Sequence, residues 1–137
     1  MGLLCPVGNT VEGAWDNIRE GRSGIRPISE IDASNLPTRI AGEVNDFEVT
    51  DYLSARDARR MDPFIHYGIA AAVDAVQDAG LEVTDRNRDR IGVAMGAGIG
   101  GLTVIEDNHN KMLRGGVRKV SPFFVPGSLI NMISGNV

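Results

Sequence analysis

The 137-residue sequence predicts an α/β fold in which helices pack on a mixed sheet. Residues 91–95 alternate Ile, Val and Met with Gly and Ala, which is typical of a strand covered on both faces. A glycine-rich turn follows and leads into a helix-forming stretch, and ligand sites in α/β folds commonly lie at such strand ends. Residues 63–79 carry a broad apolar stripe at helical spacing, which predicts a helix buried next to the sheet.

Composition restricts the classes of function. With 42% hydrophobic and 23% charged residues, the chain has the composition of one globular domain. Its net charge of -4 argues against nucleic acid as a general partner. No apolar run reaches membrane-spanning length and no leader is evident, so we expect neither a membrane partner nor export. The single cysteine, Cys5, excludes a disulfide framework and suits the cytoplasm.

The two ends of the sequence are apolar. Residues 1–6 read as a chain leaving a strand, and residues 134–137 carry no charged tail. Native termini are usually solvated and frayed. We therefore expect the sequence to be a piece of a longer protein.

The first helix is expected to begin at Asn9, with Glu12 as the reciprocal partner in a capping box, and to end at Gly21. Apolar residues recur at helical spacing between these limits, which predicts that Trp15 faces the core. Residues 22–50 are interrupted by prolines and predict irregular structure, with a short edge strand at residues 39–44.

The next helix carries a cluster of basic residues. Ser54 and Asp57 form a capping-box pattern, and Arg56, Arg59 and Arg60 are spaced so that their guanidinium groups share one helical face. The face is open to two interpretations, a solvated surface or a receptor for an anionic partner. Asp57 offsets only part of the repulsion among the three cations, and an anion would relieve the rest.

The strongest helix signal starts at Asp62, with Pro63 in the first helical position and Gly80 past the end. His66 lies among the apolar residues of this helix without a second ligand at a useful spacing. We interpret His66 as structural and expect no metal site.

Beyond the glycine-rich turn, residues 102–113 predict a helix that ends at Gly115 and Gly116. Arg118 and Lys119 follow as a second basic pair. Residues 121–126 form an apolar segment stiffened by two prolines. The final helix is expected to be capped by Ser128 and to turn three apolar residues inward: Leu129, Ile130 and Ile133.

The glycine-rich turn contains Gly96, Gly98, Gly100 and Gly101. Its spacing formally matches the dinucleotide-binding fingerprint, which requires an acidic residue about 20 positions further on. Residues 116–120 contain no acid. The missing acid counts against a dinucleotide site. A nucleotide- or anion-binding α/β module without catalytic activity is therefore kept only as the alternative interpretation.

No complete catalytic set is legible, and we expect no cofactor. Cys5 precedes Pro6 in an apolar run, and neither His66 nor His109 has a readable link to it. Cys5 is therefore interpreted as a small buried residue rather than a nucleophile.

Six motifs in order and at matching spacing resemble the front part of the type II, chain-elongating β-ketoacyl-acyl-carrier-protein synthases. They occupy residues 6–10, 21–25, 57–62, 67–71, 96–101 and 121–126. The resemblance covers almost all of residues 2–136. It implies a thiolase-like fold with a duplicated α/β core, of which residues 1–137 would be a partial N-terminal domain, and a homodimer in the complete enzyme.

The resemblance also implies a reaction. In this family a cysteine accepts an acyl group from the carrier protein, two histidines assist decarboxylation of malonyl-carrier protein, and the resulting carbanion attacks the acyl thioester. Those three groups lie beyond Val137 in the family pattern, so the chain is expected to be an acyltransferase by family and inactive alone. Cys5 occupies a position where relatives commonly carry serine.

The binding residues that the resemblance implies do lie within the chain. Ile99 matches the deep end of the acyl pocket, and Phe124 matches a residue that closes this pocket from across the dimer. The basic patch that receives the acyl carrier protein matches five residues: Arg56, Arg59, Arg60, Arg118 and Lys119. We also expect the isolated chain to expose a large apolar patch and to associate or unfold.

Overall fold

A computed structural model describes all 137 residues. Six helices and two strands follow one another along the chain: α1 Val11–Arg19, β1 Ile25–Pro27, β2 Ile40–Gly42, α2 Ala55–Ala58, α3 Pro63–Asp78, α4 Leu102–Gly115, α5 Phe124–Ser128 and α6 Met132–Asn136. Short 3₁₀ turns occur at Val49–Asp51, Arg88–Arg90 and Val117–Lys119.

The sheet is a single antiparallel pair. Ile25 of β1 pairs with Gly42 of β2, and Pro27 pairs with Ile40. The edge strand expected within residues 39–44 is confirmed.

The covered strand expected at residues 91–95 does not form. The segment is not part of any sheet, and Val93 remains 42% exposed. A strand needs neighbours on its hydrogen-bonding edges, and here no other strand runs beside this one. Ser134 anchors the end of the segment, since its hydroxyl accepts the Met95 N–H at 2.8 Å and donates to the Met95 carbonyl at 3.0 Å.

Helix α1 begins one residue later than expected. Thr10, not Asn9, is the N-cap, and its hydroxyl accepts the Gly13 N–H at 3.1 Å. The Asn9 side chain instead donates to the Asn45 carbonyl at 2.7 Å. Both residue types can cap a helix, and the bond to the loop decides between them.

The expected inward position of Trp15 is wrong. Trp15 is 59% exposed, whereas its neighbour Ala14 is buried. The backbone of Gly8 approaches so closely that a Cβ there would lie 2.6 Å from the Ala14 nitrogen. The face of α1 that packs inward is thus centred on a small residue. The expected end of the helix is confirmed, since Gly21 has a φ of 68°.

Helix α3 forms the centre of the structure. Asp62 is its N-cap, Pro63 opens it, and Gly80 follows it with a φ of 58°, as expected. Its buried Ile65 and Ile69 form a core cluster with Ile133 of α6. Ile133 fits against Gly68, where an added Cβ would lie 2.5 Å from the isoleucine side chain.

The C-terminal segment differs from the expectation. Ser128 is the last residue of α5 and its hydroxyl donates to the Val125 carbonyl at 3.3 Å, so it does not cap the final helix. Helix α6 starts after Asn131 instead. Only Ile133 of the three apolar residues turns inward, since Leu129 and Ile130 precede α6 and are nearly half exposed.

The chain leaves much of its apolar surface uncovered. Its accessible surface is 9842 Å², and only 11 of its residues are buried. A compact monomer of 14.7 kDa is expected to expose about 6,900 Å², so the excess is about 2,900 Å². Large apolar side chains are among the exposed ones, including Ile99, Leu113 and Val117. None of the helices combines the length and the apolar character that a membrane crossing requires.

Candidate functional site

A buried carboxylate joins the helices around the glycine-rich turn. Asp62 is 5% exposed, and one of its oxygens accepts the Phe64 N–H of α3 at 3.4 Å. The other oxygen accepts the Val104 N–H of α4 at 3.0 Å. Its own N–H donates to the Gly127 carbonyl at 3.2 Å. Asp62 therefore fixes the N-termini of α3 and α4 relative to α5, and its charge faces the positive ends of both helix dipoles.

The four glycines of the turn have two different environments. The Gly101 N–H donates to the Ser128 carbonyl at 3.0 Å. A Cβ at Gly100, whose φ is 87°, would lie 2.7 Å from that same carbonyl oxygen. Gly96 and Gly98 border open space. Gly100 and Gly101 thus allow α5 to pack closely, whereas Gly96 and Gly98 leave room beside the turn.

The N-terminus of α4 is poorly suited to a phosphate. Dinucleotide sites place the pyrophosphate on free N–H groups at the start of this helix. Here the Val104 N–H is bonded to the Asp62 carboxylate, and the Gly101 N–H is bonded to a carbonyl. A phosphate would have to displace a buried group of like charge.

The two residues predicted for the acyl pocket lie in different places. Ile99, within the turn, is 69% exposed. Phe124 is partly buried and lines a groove of about 280 Å³ with apolar side chains that include Ile105, Met112 and Val120. Ile99 is not among the residues that line this groove. A single chain therefore does not bring the two side chains into one pocket.

The basic residues of the α2 region divide into two kinds. Arg56 and Arg59 are exposed. Arg60 follows α2, lies 3.5 Å from Asp57, and places its guanidinium 4.6 Å from the centre of the Phe123 ring. The three guanidinium groups expected on one helical face are thus not equivalent, because the helix ends at Ala58 and the chain turns.

Arg60 and Phe123 line a groove of about 330 Å³ between the α2 region and the C-terminal helices. Leu53, Met61, Pro126 and Met132 supply its apolar side.

The second basic pair belongs to a larger cluster. Arg118 and Lys119 are exposed on the 3₁₀ turn after α4. Lys111, Arg114 and Lys119 line a shallow surface groove of about 440 Å³. Sequence reasoning missed Lys111 and Arg114, although their three-residue spacing near a helix C-terminus favours a shared cationic surface.

Asn108 connects this cluster to the segment that contains Phe124. Its side chain is buried, donates to the Val104 carbonyl at 2.8 Å and accepts the Ser121 N–H at 2.7 Å. The bond to Ser121 closes the turn that carries Arg118 and Lys119. Asn108 is a positioning residue that sequence reasoning missed, because its partner is identified only by the fold.

The chain's candidate reactive side chains make ordinary structural contacts. A ring nitrogen of His66 lies 2.9 Å from the Ala58 carbonyl oxygen. The Cys5 thiol donates to the Gly8 carbonyl at 3.5 Å. These contacts support a structural interpretation of both residues.

An aromatic cluster holds the loop before α2 against α3. The ring centre of Phe47 lies 5.9 Å from that of Tyr52 and 5.3 Å from that of Tyr67. Burial raises the pKa of Tyr52, and Asp74, which accepts its hydroxyl hydrogen bond at 3.2 Å, adds to this. Burial also raises the pKa of Tyr67, with smaller contributions from nearby carboxylates. Both phenols are therefore neutral structural groups at neutral pH.

Comparison with known proteins identifies the relatives of this chain. The family model described as "Beta-ketoacyl synthase, N-terminal domain" matches residues 1–137. The chain is 56% identical to a 3-oxoacyl-[acyl-carrier-protein] synthase 2 from Vibrio harveyi and 54% identical to one from Vibrio cholerae. Each alignment covers 100% of this chain and 33% of the relative. The chain thus spans about a third of the length of the curated relatives it matches.

Solved structures show the same fold. An ishigamide ketosynthase/chain length factor superposes with a TM-score of 0.79 over 98% of this chain and 34% of its own, at 28% identity. A type II PKS acyl-carrier protein in complex with its ketosynthase gives a TM-score of 0.78 over 98% of this chain and 36% of the other, at 23% identity. The expected thiolase-like α/β fold is confirmed by these ketosynthase neighbours. With a family model matched over its whole length, the chain belongs to the β-ketoacyl synthase family, within the N-terminal domain.

Proposed function

We propose that this chain is the N-terminal part of a chain-elongating 3-oxoacyl-[acyl-carrier-protein] synthase of fatty-acid biosynthesis, acting in the cytoplasm. The complete enzyme would condense an acyl thioester with malonyl-carrier protein, with loss of carbon dioxide. The observation that carries this proposal is the 56% identity to a synthase of this kind over every residue of the chain.

The chain contributes binding surfaces and the rest of the enzyme supplies the reactive cysteine and histidines. Cys5 and His66 support this division, because each is engaged by a main-chain carbonyl of its own neighbourhood. Residues 1–137 then form a partial domain that is inactive alone. Turnover of acyl- and malonyl-carrier protein by the isolated chain would contradict this division.

The carrier protein docks on the two basic groups. Arg56 and Arg59 lie exposed beside Arg60, and Arg118 and Lys119 lie exposed after α4. An acidic carrier protein would be steered and held in register by such cations. A solved ketosynthase of the same fold in complex with its acyl-carrier protein supports a carrier protein as the partner.

The acyl chain is held beside the glycine-rich turn. The open space at Gly96 and Gly98 leaves room for an alkyl tail, and Ile99 between Gly98 and Gly100 limits its length. Each buried methylene contributes about 0.8 kcal/mol, so one side chain can set the preferred length. Phe124 closes the pocket of the partner subunit in a homodimer, which accounts for its separation from Ile99 in one chain.

Charge reversal in the complete enzyme tests the proposal. Arg59→Glu combined with Arg60→Glu is expected to raise the KM for the carrier-protein substrate, while kcat changes less. Arg86→Glu, an exposed arginine in the loop after α3, is the matched control and is expected to leave KM unchanged. An unchanged KM in the double variant would remove docking from the role of these residues.

The alternative is a non-catalytic module that binds a nucleotide at the turn. The Asp62 carboxylate bonded to the first turn of α4 argues against it. Titration with an adenine dinucleotide separates the two functions, because tight, stoichiometric binding would favour the alternative.

A further inference from the structure

Arg60 contacts α5 in two ways. Its guanidinium lies 4.6 Å from the centre of the Phe123 ring, and this side chain is about one-third exposed. Its main-chain carbonyl packs against Gly127, where an added Cβ would lie 2.7 Å from the carbonyl oxygen. Arg60 therefore contributes its side chain to the basic surface and its main chain to the packing of α5.

Phe123 leads directly into the residue proposed for the acyl pocket. It is the N-cap residue of α5, whose first residue is Phe124. The Phe123 carbonyl accepts the Gly127 N–H at 2.9 Å, and the Phe124 N–H donates to the Ser121 carbonyl at 3.0 Å. A shift of the Phe123 ring would therefore move the backbone that orients Phe124.

A stacked guanidinium can bind a second group. A guanidinium placed over an aromatic ring keeps N–H donors that can form paired bonds to a carboxylate. Asp57 holds one edge at 3.5 Å, and the other donors remain available at the surface. The ring thus pre-orients the cation for an acidic partner, and a bound partner would in turn hold the cation on the ring.

We propose that Phe123 is a positioning residue that couples docking of the carrier protein at Arg60 to the placement of Phe124 in the acyl pocket of the partner subunit. The inference rests on the proposed function, because it requires an acidic carrier at Arg60 and an acyl chain near Phe124. Linkage makes the coupling reciprocal, so each event strengthens the other by the same factor.

The test measures kcat/KM of the complete synthase for one acyl group presented on the carrier protein and on pantetheine. The ratio of the two values isolates the contribution of the carrier, because a general packing defect lowers both. Phe123→Leu is expected to lower this ratio about 2- to 5-fold, the range of an exposed cation–π contact. Phe123→Tyr keeps the ring and is expected to restore the ratio.

Arg60→Gln and the double variant complete a cycle with Phe123→Leu. In the double variant, the ratio is expected to fall by less than the product of the fold-changes of the two single variants. Arg60→Lys keeps the charge without the planar stack and gives a second measure if Phe123→Leu folds poorly. It is expected to lower the ratio in the same range. Trp15→Leu, which removes an exposed aromatic ring on α1, is the control and should leave the ratio unchanged.

The outcomes separate the two proposals. Independent, multiplicative effects in an active enzyme, or an Arg60→Lys variant with the wild-type ratio, would overturn the coupling alone. Failure of the wild-type complete enzyme to condense either substrate would overturn the proposed function and the coupling with it.

Discussion

Replacement of Asp62 by alanine should destabilise the protein more than any other single carboxylate change. The variant loses the N-cap of α3, which contributes about 1 kcal/mol in typical helices. It also loses the bond from the Val104 N–H at 3.0 Å, and bonds to charged acceptors contribute about 1.5 to 3 kcal/mol. We therefore expect a loss of about 2 to 4 kcal/mol in the free energy of unfolding.

Denaturant unfolding of the complete protein measures the global effect, and amide hydrogen exchange locates it. The Val104 and Phe64 amides should lose protection selectively, since both donate to this carboxylate. Asp16→Ala is the matched control, because Asp16 is exposed and forms a surface ion pair with Arg19 at 3.5 Å, of a kind that contributes about 0–1 kcal/mol. Equal stability losses in the two variants, with Val104 still protected, would refute the reasoning.

Three further predictions concern the loop, the α5 contact and the exposed surface. Hydrogen bonds from the Ser29 hydroxyl and amide lower the pKa of Glu43 below its ordinary 4.5, so the unfolded loop takes up the proton first and the contact should weaken as pH falls through the lowered value. The protection of the Ser29 amide, taken relative to its intrinsic exchange rate at each pH, should fall on acidification. A fall that is absent in Glu43→Gln would agree, and identical behaviour of both proteins would not. Gly127→Ala should lower Tm, because the added Cβ would lie 2.7 Å from the Arg60 carbonyl oxygen and destabilise the fold by about 1–3 kcal/mol. Gly98→Ala, in open space, should leave Tm unchanged, and equal Tm values for the two variants would count against the close packing. The isolated chain should associate as its concentration rises, because of its excess of exposed surface, and a monomer with a sharp, concentration-independent melt would contradict this.

Local signals in the sequence located several elements correctly. Ser54 and Asp62 cap their helices, and Gly21 and Gly80 follow helix ends with positive φ, as expected. A cap or a left-handed glycine depends on residues within one helical turn, so a single sequence contains the necessary information.

The errors occurred where a contact outside the element itself decides the structure. Asn9 bonds to a residue 36 positions away and leaves the cap to Thr10. Trp15 turns outward because the Gly8 backbone packs on its neighbour. Residues 91–95 have the pattern of a covered strand but no neighbouring strand to pair with, so the pattern alone could not predict their state.

The candidate site was predictable in composition but not in geometry. Helical spacing found the cations of the α2 region, and the family resemblance supplied roles for Ile99 and Phe124 that remain predictions. The stack of Arg60 on Phe123 joins residues far apart in the sequence, and no local pattern indicates it.

The close contact between Gly68 and Ile133 has a consequence for the segment that leads into the glycine-rich turn. The lack of a side chain at Gly68 allows Ile133 to pack closely on α3. The next residue, Ser134, forms hydrogen bonds with both the N–H and the carbonyl of Met95. A methyl group added at position 68 would therefore displace α6 from α3. It would also shift residues 91–95, which lead into the glycine-rich turn, because Ser134 of α6 is bonded to Met95. The lack of a side chain at Gly68 thus helps to determine where residues 91–95 lie relative to α3.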